Sequence, residues 1–200
     1  MSIKIYGVPL SQNVRKPLAV AAHIGVEVEN PPVRPIDDIV QQKSPSRRVP
    51  FMVDADVVLC ESNAIMIHLC SRKPNNLYPE ERTIRDRINQ FLFWDAAHWT
   101  PAYQPIQFER LVKKILGMGD ADENVVAATL VKFEREAGYL NSALDGREWL
   151  AGDAPTLADF AVGCGLTHAK SIDLPLSDYP NIEAWNARVV QLEGFRKTAV

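Results

Sequence analysis

The spacing of apolar residues changes once along this chain, after a polar segment from Lys73 to Pro79. Before this segment, short apolar runs alternate with helical patterns, and after it the apolar spacing is helical throughout. The Pro and Asn residues within it are typical of a linker. The sequence therefore predicts a mixed α/β domain at residues 1–76, a linker at about 73–82 and an all-helical domain at residues 83–200.

The first domain is predicted to have the element order β-α-β-α-β-β-α. Ser11 is a plausible N-cap for its first helix, and Gly25 ends that helix. The two apolar runs around Asp54-Ala55-Asp56 predict a hairpin. The predicted elements are a strand at 2–7, a helix from Ser11 to Gly25, a short strand at 26–28, a short helix at 37–43, the hairpin, and a helix opened by Ser62.

The second domain is predicted to consist of helices alone. A long helix carries apolar residues from Ile84 to Trp99 and is interrupted near Pro101 and Pro105. The segment from Thr156 to about 169 is apolar on nearly all sides, which predicts a buried central helix. Two more amphipathic helices are predicted at 125–144 and around 182–189.

Composition excludes several classes of function. A net charge of -3 and a pI near 5.8 do not provide the basic face that nucleic-acid binding requires. No segment reaches the roughly 20 apolar residues of a membrane span, and the N-terminal residues lack a signal-peptide pattern. The three cysteines form no metal-ligand cluster and are predicted to be buried free thiols, which fits a cytosolic compartment.

Two segments about ten residues apart carry the most informative chemistry. Val49-Pro50 leads into a short strand, and Glu61-Ser62 directly precedes an apolar helix. The free N–H groups at a helix N-terminus attract anions, and an adjacent acid can hold an amine. Such a site suits the α-amino-acid end of a peptide. The alternative interpretation of Glu61-Ser62 is a capped helix with an acid near its positive end.

Three stretches of the sequence resemble one family. Ser44 to Pro50 is similar to the pattern Asn-Pro-x-Gly-x-Val-Pro, except that Ser44 replaces asparagine and Arg47 replaces glycine. Tyr6 to Arg15 resembles the start of serine-type classes, phi and theta most of all. Trp149 to Phe160, with its Thr156-x-x-Asp159 capping-box spacing, is similar to the start of a buried family helix. The chain is identified as a member of the soluble glutathione transferases, and the resemblance covers essentially all of it.

The resemblance implies a thioredoxin-like βαβαββα domain that binds glutathione, followed by a C-terminal α-helical bundle. A proline such as Pro50 is trans in most proteins, but the family carries a cis bond at this position. The backbone N–H and C=O of Val49 would then pair with the cysteinyl residue of glutathione. Ser62 would bind the γ-glutamyl carboxylate, and Glu61 would lie near the γ-glutamyl ammonium.

The glycyl end of glutathione is harder to assign. The substitution at Arg47 implies that the loop before Pro50 follows a different path, with extra positive charge near the glycyl carboxylate. The family uses side chains of its second helix there, and this chain offers only a few. Arg48 and Gln42 are the candidates that we assign to glutathione binding.

The resemblance also gives Ser11 a catalytic role, beside its structural interpretation as an N-cap. Its hydroxyl would donate a hydrogen bond to the glutathione sulfur and favour the thiolate, which is the nucleophile. Serine at this position argues against the thiol–disulfide members of the superfamily. The aromatic residues along the long helix are more often core than ligand contacts, but Trp99 and Tyr103, together with Pro9, are predicted to line a hydrophobic co-substrate pocket.

The implied function is that of a cytoplasmic glutathione transferase, a homodimeric detoxification enzyme that conjugates glutathione to an electrophilic hydrophobic substrate. Glutathione is then a co-substrate, and no metal, other cofactor, nucleic acid or membrane is implied. Two alternatives remain open. One is a non-catalytic interaction module, which the altered Arg47-Arg48 loop motivates. The other is a glutathione-dependent peroxidase or reductase.

Overall fold

A computed structural model describes residues 2–199 of the chain. The described chain forms two compact units. The first contains the residues up to Arg85 together with the segment from Val189 onwards, and the second is Asp86–Arg188. Among residues 2–199, no helix combines the length and apolar character that crossing a bilayer requires.

The first unit contains a four-stranded sheet in the order β2-β1-β3-β4. The strand β1 pairs in parallel with β2 and antiparallel with β3, and β3 forms a hairpin with β4. The strands are β1 (Ile3–Tyr6), β2 (Val28–Glu29), β3 (Phe51–Asp54) and β4 (Val57–Cys60). The predicted element order of this unit is therefore confirmed, and the fold is the predicted thioredoxin-like one.

Two helices of the first unit connect these strands, α1 (Gln12–Ile24) and α2 (Asp38–Lys43), and α3 (Ser62–Cys70) follows β4. Helices α1 and α3 pack against each other and against the sheet. Val40 of α2 packs in a separate cluster with Tyr6 and Phe51, whose rings stack with centroids 4.4 Å apart. As the sequence predicts, α1 ends at Gly25, which has a φ of 70° that glycine adopts without strain.

A C-terminal helix that the sequence analysis did not predict belongs to the first unit. This helix, α10 (Glu193–Lys197), packs on α1. Arg15 of α1 donates to the backbone C=O of Phe195 at 3.0 Å and lies over its ring. Gly194 allows the close approach, because a Cβ there would lie 2.1 Å from the backbone oxygen of Ala19. Five residues are too few for a helical period to be visible in the sequence.

The second unit is helical, as predicted. The helix α4 (Arg82–Trp94) leads into it, and the interruption predicted near Pro101 and Pro105 takes the form of π-helical turns at 95–99 and 108–112. The remaining helices are α5 (Thr100–Gln107), α6 (Lys113–Leu116), α7 (Glu123–Ala143), α8 (Leu157–Cys164) and α9 (Pro180–Val189).

Asp159 organises the core of the second unit. Its carboxylate is fully buried and accepts hydrogen bonds from the Leu150 N–H at 3.0 Å, the Trp185 indole at 2.8 Å and the Thr156 N–H at 2.9 Å. The capping box predicted at Thr156 and Asp159 is present at the start of α8. Burial raises the pKa of Asp159, while each of the donated hydrogen bonds favours the ionised form.

A buried carboxylate also joins the sheet to α3. Asp54 at the end of β3 lies 2.8 Å from Nε2 of His68 and 2.5 Å from the guanidinium of Arg72. Burial alone would raise the pKa of Asp54, but the hydrogen bonds from His68 and Arg72 outweigh it and lower the pKa below its ordinary value. This group therefore stabilises the fold in its ionised form.

The effect of Asp54 on stability should depend on pH. Its contribution is present above the pKa of the unfolded carboxyl, about 3.9, and is lost as the pH falls through the lower pKa of the folded state. Urea titrations should show that the free energy of unfolding falls between about pH 6 and pH 3. The fall should be about 1 kcal/mol smaller in Asp54→Asn than in the native protein. The exposed Asp56 of the same hairpin is the control. Parallel pH profiles for the native protein and Asp54→Asn would contradict this assignment.

Candidate functional site

The turn after β1 places Ser11 beside the segment that contains Val49. Gly7 has a φ of 143°, and a Cβ there would lie 2.5 Å from a methyl group of Val14 and 3.3 Å from Cβ of Val49. The amide of Asn30 fixes this turn by donating to the backbone C=O of Gly7 at 3.0 Å. The sequence indicates Gly7 only as the end of a strand, because its close approach to Val49 is visible only in the folded chain.

Ser11 occupies the N-cap position of α1, as predicted. Its C=O accepts hydrogen bonds from the N–H groups of Val14 and Arg15, at 3.0 and 2.9 Å. Its side chain makes no capping hydrogen bond and is half-buried. Within the described part of the chain the hydroxyl is therefore free to serve a ligand at the N-terminus of the helix.

The Val49–Pro50 bond is cis, as the resemblance implies. Among residues 2–199, neither backbone group of Val49 takes part in a hydrogen bond. Val49 itself is half-buried, and Pro50 is buried. The N–H and C=O of Val49 are thus a donor and an acceptor that an extended peptide can use in the manner of an added strand.

The segment before Pro50 contains a turn in which Arg47 has a positive φ. Arg47 has a φ of 54°, in the left-handed region that glycine adopts readily and other residues adopt at a cost. Its N–H donates to the backbone C=O of Ser44 at 3.0 Å, which closes the turn. Arg47 thus takes up the left-handed conformation that the glycine of the family pattern would adopt without strain.

Replacing Arg47 by glycine should stabilise the fold. The left-handed conformation costs about 1–2 kcal/mol for a residue with a Cβ, and the added backbone entropy of glycine offsets about 0.5–1 kcal/mol of the gain. We expect Arg47→Gly to raise the free energy of unfolding by about 0.5–1 kcal/mol in urea titrations. Arg48→Gly is the matched control, since Arg48 is exposed and has no positive φ. A loss of stability in Arg47→Gly would contradict the argument.

Glu61 and Ser62 form the start of α3. Glu61 is the N-cap residue, with a φ of 64° and a ψ of 113°, and its C=O accepts from the N–H of Ile65 at 3.0 Å. This combination lies outside the allowed backbone regions of residues with a Cβ, and strained backbone of this kind clusters at functional sites. The Glu61 side chain makes no capping hydrogen bond, so a capping role for that acid has no geometric support. The Glu61 carboxylate is exposed, and Ser62 is half-buried.

The sheet brings these three segments to one end of its strands. Tyr6 at the end of β1 pairs with Phe51 at the start of β3, and Phe51 pairs with Cys60 at the end of β4. The loop with Ser11, the segment Val49-Pro50 and the pair Glu61-Ser62 each adjoin one of these paired residues. Three parts of the sequence that are distant from one another therefore present polar groups at the same end of the sheet.

Gln42 and Arg48 precede the Val49-Pro50 segment in the sequence, and both side chains are exposed. Gln42 belongs to α2, whose neighbouring Gln41 donates to the backbone C=O of Pro35 at 2.6 Å. The backbone of Arg48 is held by Ser44, whose hydroxyl donates to its C=O at 2.9 Å. The structure thus keeps both side chains accessible, and their contact with glutathione stays a prediction.

The residues predicted to line a co-substrate pocket occupy different environments. Pro9 is half-buried in the loop before Ser11. Trp99 and Tyr103 are fully buried in the second unit, where the Trp99 indole donates to the backbone C=O of Val162 at 3.1 Å. Their rings pack edge to face. This is the core environment of an aromatic stripe, and both rings would have to leave it to contact a co-substrate.

The three cysteines, Cys60, Cys70 and Cys164, are free thiols. Cys164 is buried, whereas the other two are half-buried. Burial raises the pKa of the Cys70 thiol to about 12, so it is protonated and unreactive at neutral pH.

Comparison with known proteins identifies the family. The profile described as "Glutathione S-transferase, N-terminal domain" matches residues 5–77, and "Glutathione S-transferase, C-terminal domain" matches residues 96–193. A probable glutathione S-transferase of Oryza sativa is 30% identical over 197 residues, which cover 92% of this chain and 89% of the rice protein. Glutathione S-transferase D7 of Drosophila melanogaster is 27% identical and covers 92% of this chain and 82% of its own length.

A solved structure supports the same family assignment. Glutathione S-transferase III in its apo form superimposes with a TM-score of 0.86 and 28% identity, covering 99% of this chain and 95% of its own. The chain therefore belongs to the glutathione S-transferase family, as the sequence analysis predicts.

Proposed function

We propose that the protein conjugates the sulfur of glutathione to electrophilic, hydrophobic substrates, and that Ser11 favours the reactive thiolate. The observation that carries this proposal is that the segments with Ser11, Val49 and Glu61-Ser62 all lie at the same end of the sheet. The Ser11 hydroxyl is free of any capping hydrogen bond, and the helix N-terminus beside it favours negative charge. A hydroxyl that donates to sulfur there lowers the thiol pKa towards neutrality.

The peptide is proposed to bind at this same end of the sheet. The N–H and C=O of Val49 pair with its cysteinyl residue, and the γ-glutamyl carboxylate lies at the N-terminus of α3 against Ser62. The γ-glutamyl ammonium then lies near the Glu61 carboxylate, which is exposed and available. Arg48 and Gln42 are proposed to face the glycyl carboxylate.

The chemical step is a nucleophilic attack. The thiolate sulfur forms a bond to an electrophilic carbon. In a displacement, the leaving group departs with its bonding electrons, and in an addition, the π electrons of the electrophile's double bond move to its far atom, which is then protonated. We assign Pro9 to the pocket for this co-substrate. Trp99 and Tyr103 are not needed for this step, since their buried packing gives them a structural role.

Further properties belong to the proposal. We infer a homodimer and a cytoplasmic location from family membership, with glutathione as co-substrate and no metal. The domain limits of 1–76 and 83–200 are proposed as the glutathione-binding and helical domains. In the structure, the first compact unit extends to Arg85 and includes α10.

Titration of glutathione into the protein at neutral pH tests the proposal. The ultraviolet absorbance of the thiolate should rise and saturate, because the site stabilises the ionised sulfur. S-Methylglutathione has no ionisable thiol, so it should compete for the site without producing the signal. An absence of any saturable signal would contradict a thiolate-stabilising site and favour the non-catalytic alternative.

A further inference from the structure

One buried hydroxyl connects the segments of the site that are distant in sequence. Ser44 directly follows α2 and is only 4% exposed. Its Oγ donates to the backbone C=O of Arg48 at 2.9 Å and accepts from the N–H of the same residue at 3.3 Å. Its Oγ also lies 3.6 Å from Sγ of Cys60. The contact with Ser46 Oγ, at 3.4 Å, is local to the loop.

These contacts account for the hydrogen-bonding capacity of the side chain. A serine hydroxyl has one donor and two acceptor positions. Ser44 uses its donor on the Arg48 C=O and one acceptor on the Arg48 N–H. Its second acceptor faces both the thiol of Cys60 and the hydroxyl of Ser46. The N–H and the C=O of Arg48 are thereby both hydrogen-bonded to the Ser44 side chain.

Two of the residues that the Ser44 hydroxyl contacts, Arg48 and Cys60, each precede a recognition segment. Arg48 comes directly before Val49, whose backbone is proposed to pair with the cysteinyl residue of glutathione. Cys60 comes directly before Glu61, whose positive φ sets the start of α3. A buried polar group with all its partners holds its neighbours in one arrangement. Ser44 therefore sets the position of Val49 relative to Glu61-Ser62.

We propose that Ser44 is a positioning residue for glutathione: it holds the two halves of the peptide site in register and does not itself contact the peptide. This inference rests on the proposed function. It predicts a loss of glutathione affinity, without a loss of thiolate stabilisation, when the hydroxyl is removed. Ser11 belongs to a different loop and should keep its effect on the sulfur.

Hydrogen exchange of the ligand-free protein tests the link itself. In Ser44→Ala the Arg48 amide should exchange at least about 10-fold faster, since it loses its acceptor, and protection should also change across residues 60–62. Ser46→Ala removes a hydroxyl whose contact with Ser44 is local to the loop, and it is the matched control, with no expected change at residues 60–62. An effect of Ser44→Ala that stays within residues 44–49 would overturn the proposed connection.

Steady-state kinetics tests the functional consequence. Ser44→Ala should raise KM for glutathione about 10-fold. Its kcat should stay within about twofold of the native value, and the apparent thiol pKa in the pH–rate profile should stay within about 0.3 units. Ser44→Asn, the residue of the family pattern, can donate to the Arg48 C=O and accept from its N–H and should restore most of the affinity. Cys60→Ala, which removes only the thiol contact, should raise KM about 2–3-fold and provides a second variant if Ser44→Ala does not fold.

The outcomes separate this inference from the proposed function. If the native protein shows no saturable binding of glutathione, the proposed function fails and the role of Ser44 fails with it. If the native protein binds glutathione and Ser44→Ala binds it equally well, only the role of Ser44 fails. A fall in kcat or a raised thiol pKa with unchanged KM would place Ser44 in the chemical step and overturn a purely positioning role.

Discussion

Ser11→Ala is expected to lower kcat/KM for conjugation by about 10- to 100-fold, because a hydrogen bond to a charged group contributes about 1.5–3 kcal/mol. The lost interaction is the one between the hydroxyl and the thiolate sulfur. The apparent thiol pKa in the pH–rate profile should rise in the variant, and part of the activity should return at higher pH. Rates measured at saturating electrophile across pH check both effects.

The stability of the same variant separates the two interpretations of Ser11. A serine that caps a helix through its side chain contributes about 1 kcal/mol, but the Ser11 side chain makes no capping hydrogen bond. Ser11→Ala should therefore unfold within about 0.5 kcal/mol of the native protein. Ser11→Thr keeps the hydroxyl and should retain most of the activity. Native activity in Ser11→Ala would remove this residue from the mechanism.

Local signals were sufficient for most of the elements and for the ends of the site segments. The start of α1 at Ser11 and its end at Gly25 follow from residues that favour those positions. The capping box at Thr156 follows from spacing alone. Such features depend on neighbours within a few residues of the sequence, so a single chain contains the information to find them.

The support of the site depends on contacts between distant residues, which the sequence does not display. Gly7 approaches Val49, and Ser44 contacts Cys60 across 16 positions of the sequence. Arg47 illustrates a different difficulty: a residue that disfavours positive φ adopts it because the surrounding turn requires it. The different loop path that the resemblance implies stays a prediction, while the positive φ of Arg47 shows that tertiary context overrides residue preference at this position.

The largest effect on stability is expected at Asp159, far in sequence from the candidate site. Asp159→Ala should lower the free energy of unfolding by about 3–5 kcal/mol, because it leaves buried donors without an acceptor. Those donors are the indole of Trp185, the N–H groups of Leu150 and Thr156, and the Thr156 hydroxyl. Urea unfolding followed by circular dichroism measures the loss, and the exposed Asp153→Ala should change stability by less than about 0.5 kcal/mol.

Asp159→Asn distinguishes hydrogen bonding from simple packing. Its amide oxygen can still accept from Leu150 and Trp185, but its NH₂ group must face the N–H of Thr156, where two donors meet. We expect an intermediate loss of about 2–3 kcal/mol, although the side chain is nearly the same size. Equal stability of Asp159→Asn and the native protein would mean that volume, and not the acceptor geometry, is what the core requires. An intermediate loss would instead show that the start of α8 depends on a carboxylate with two acceptor oxygens.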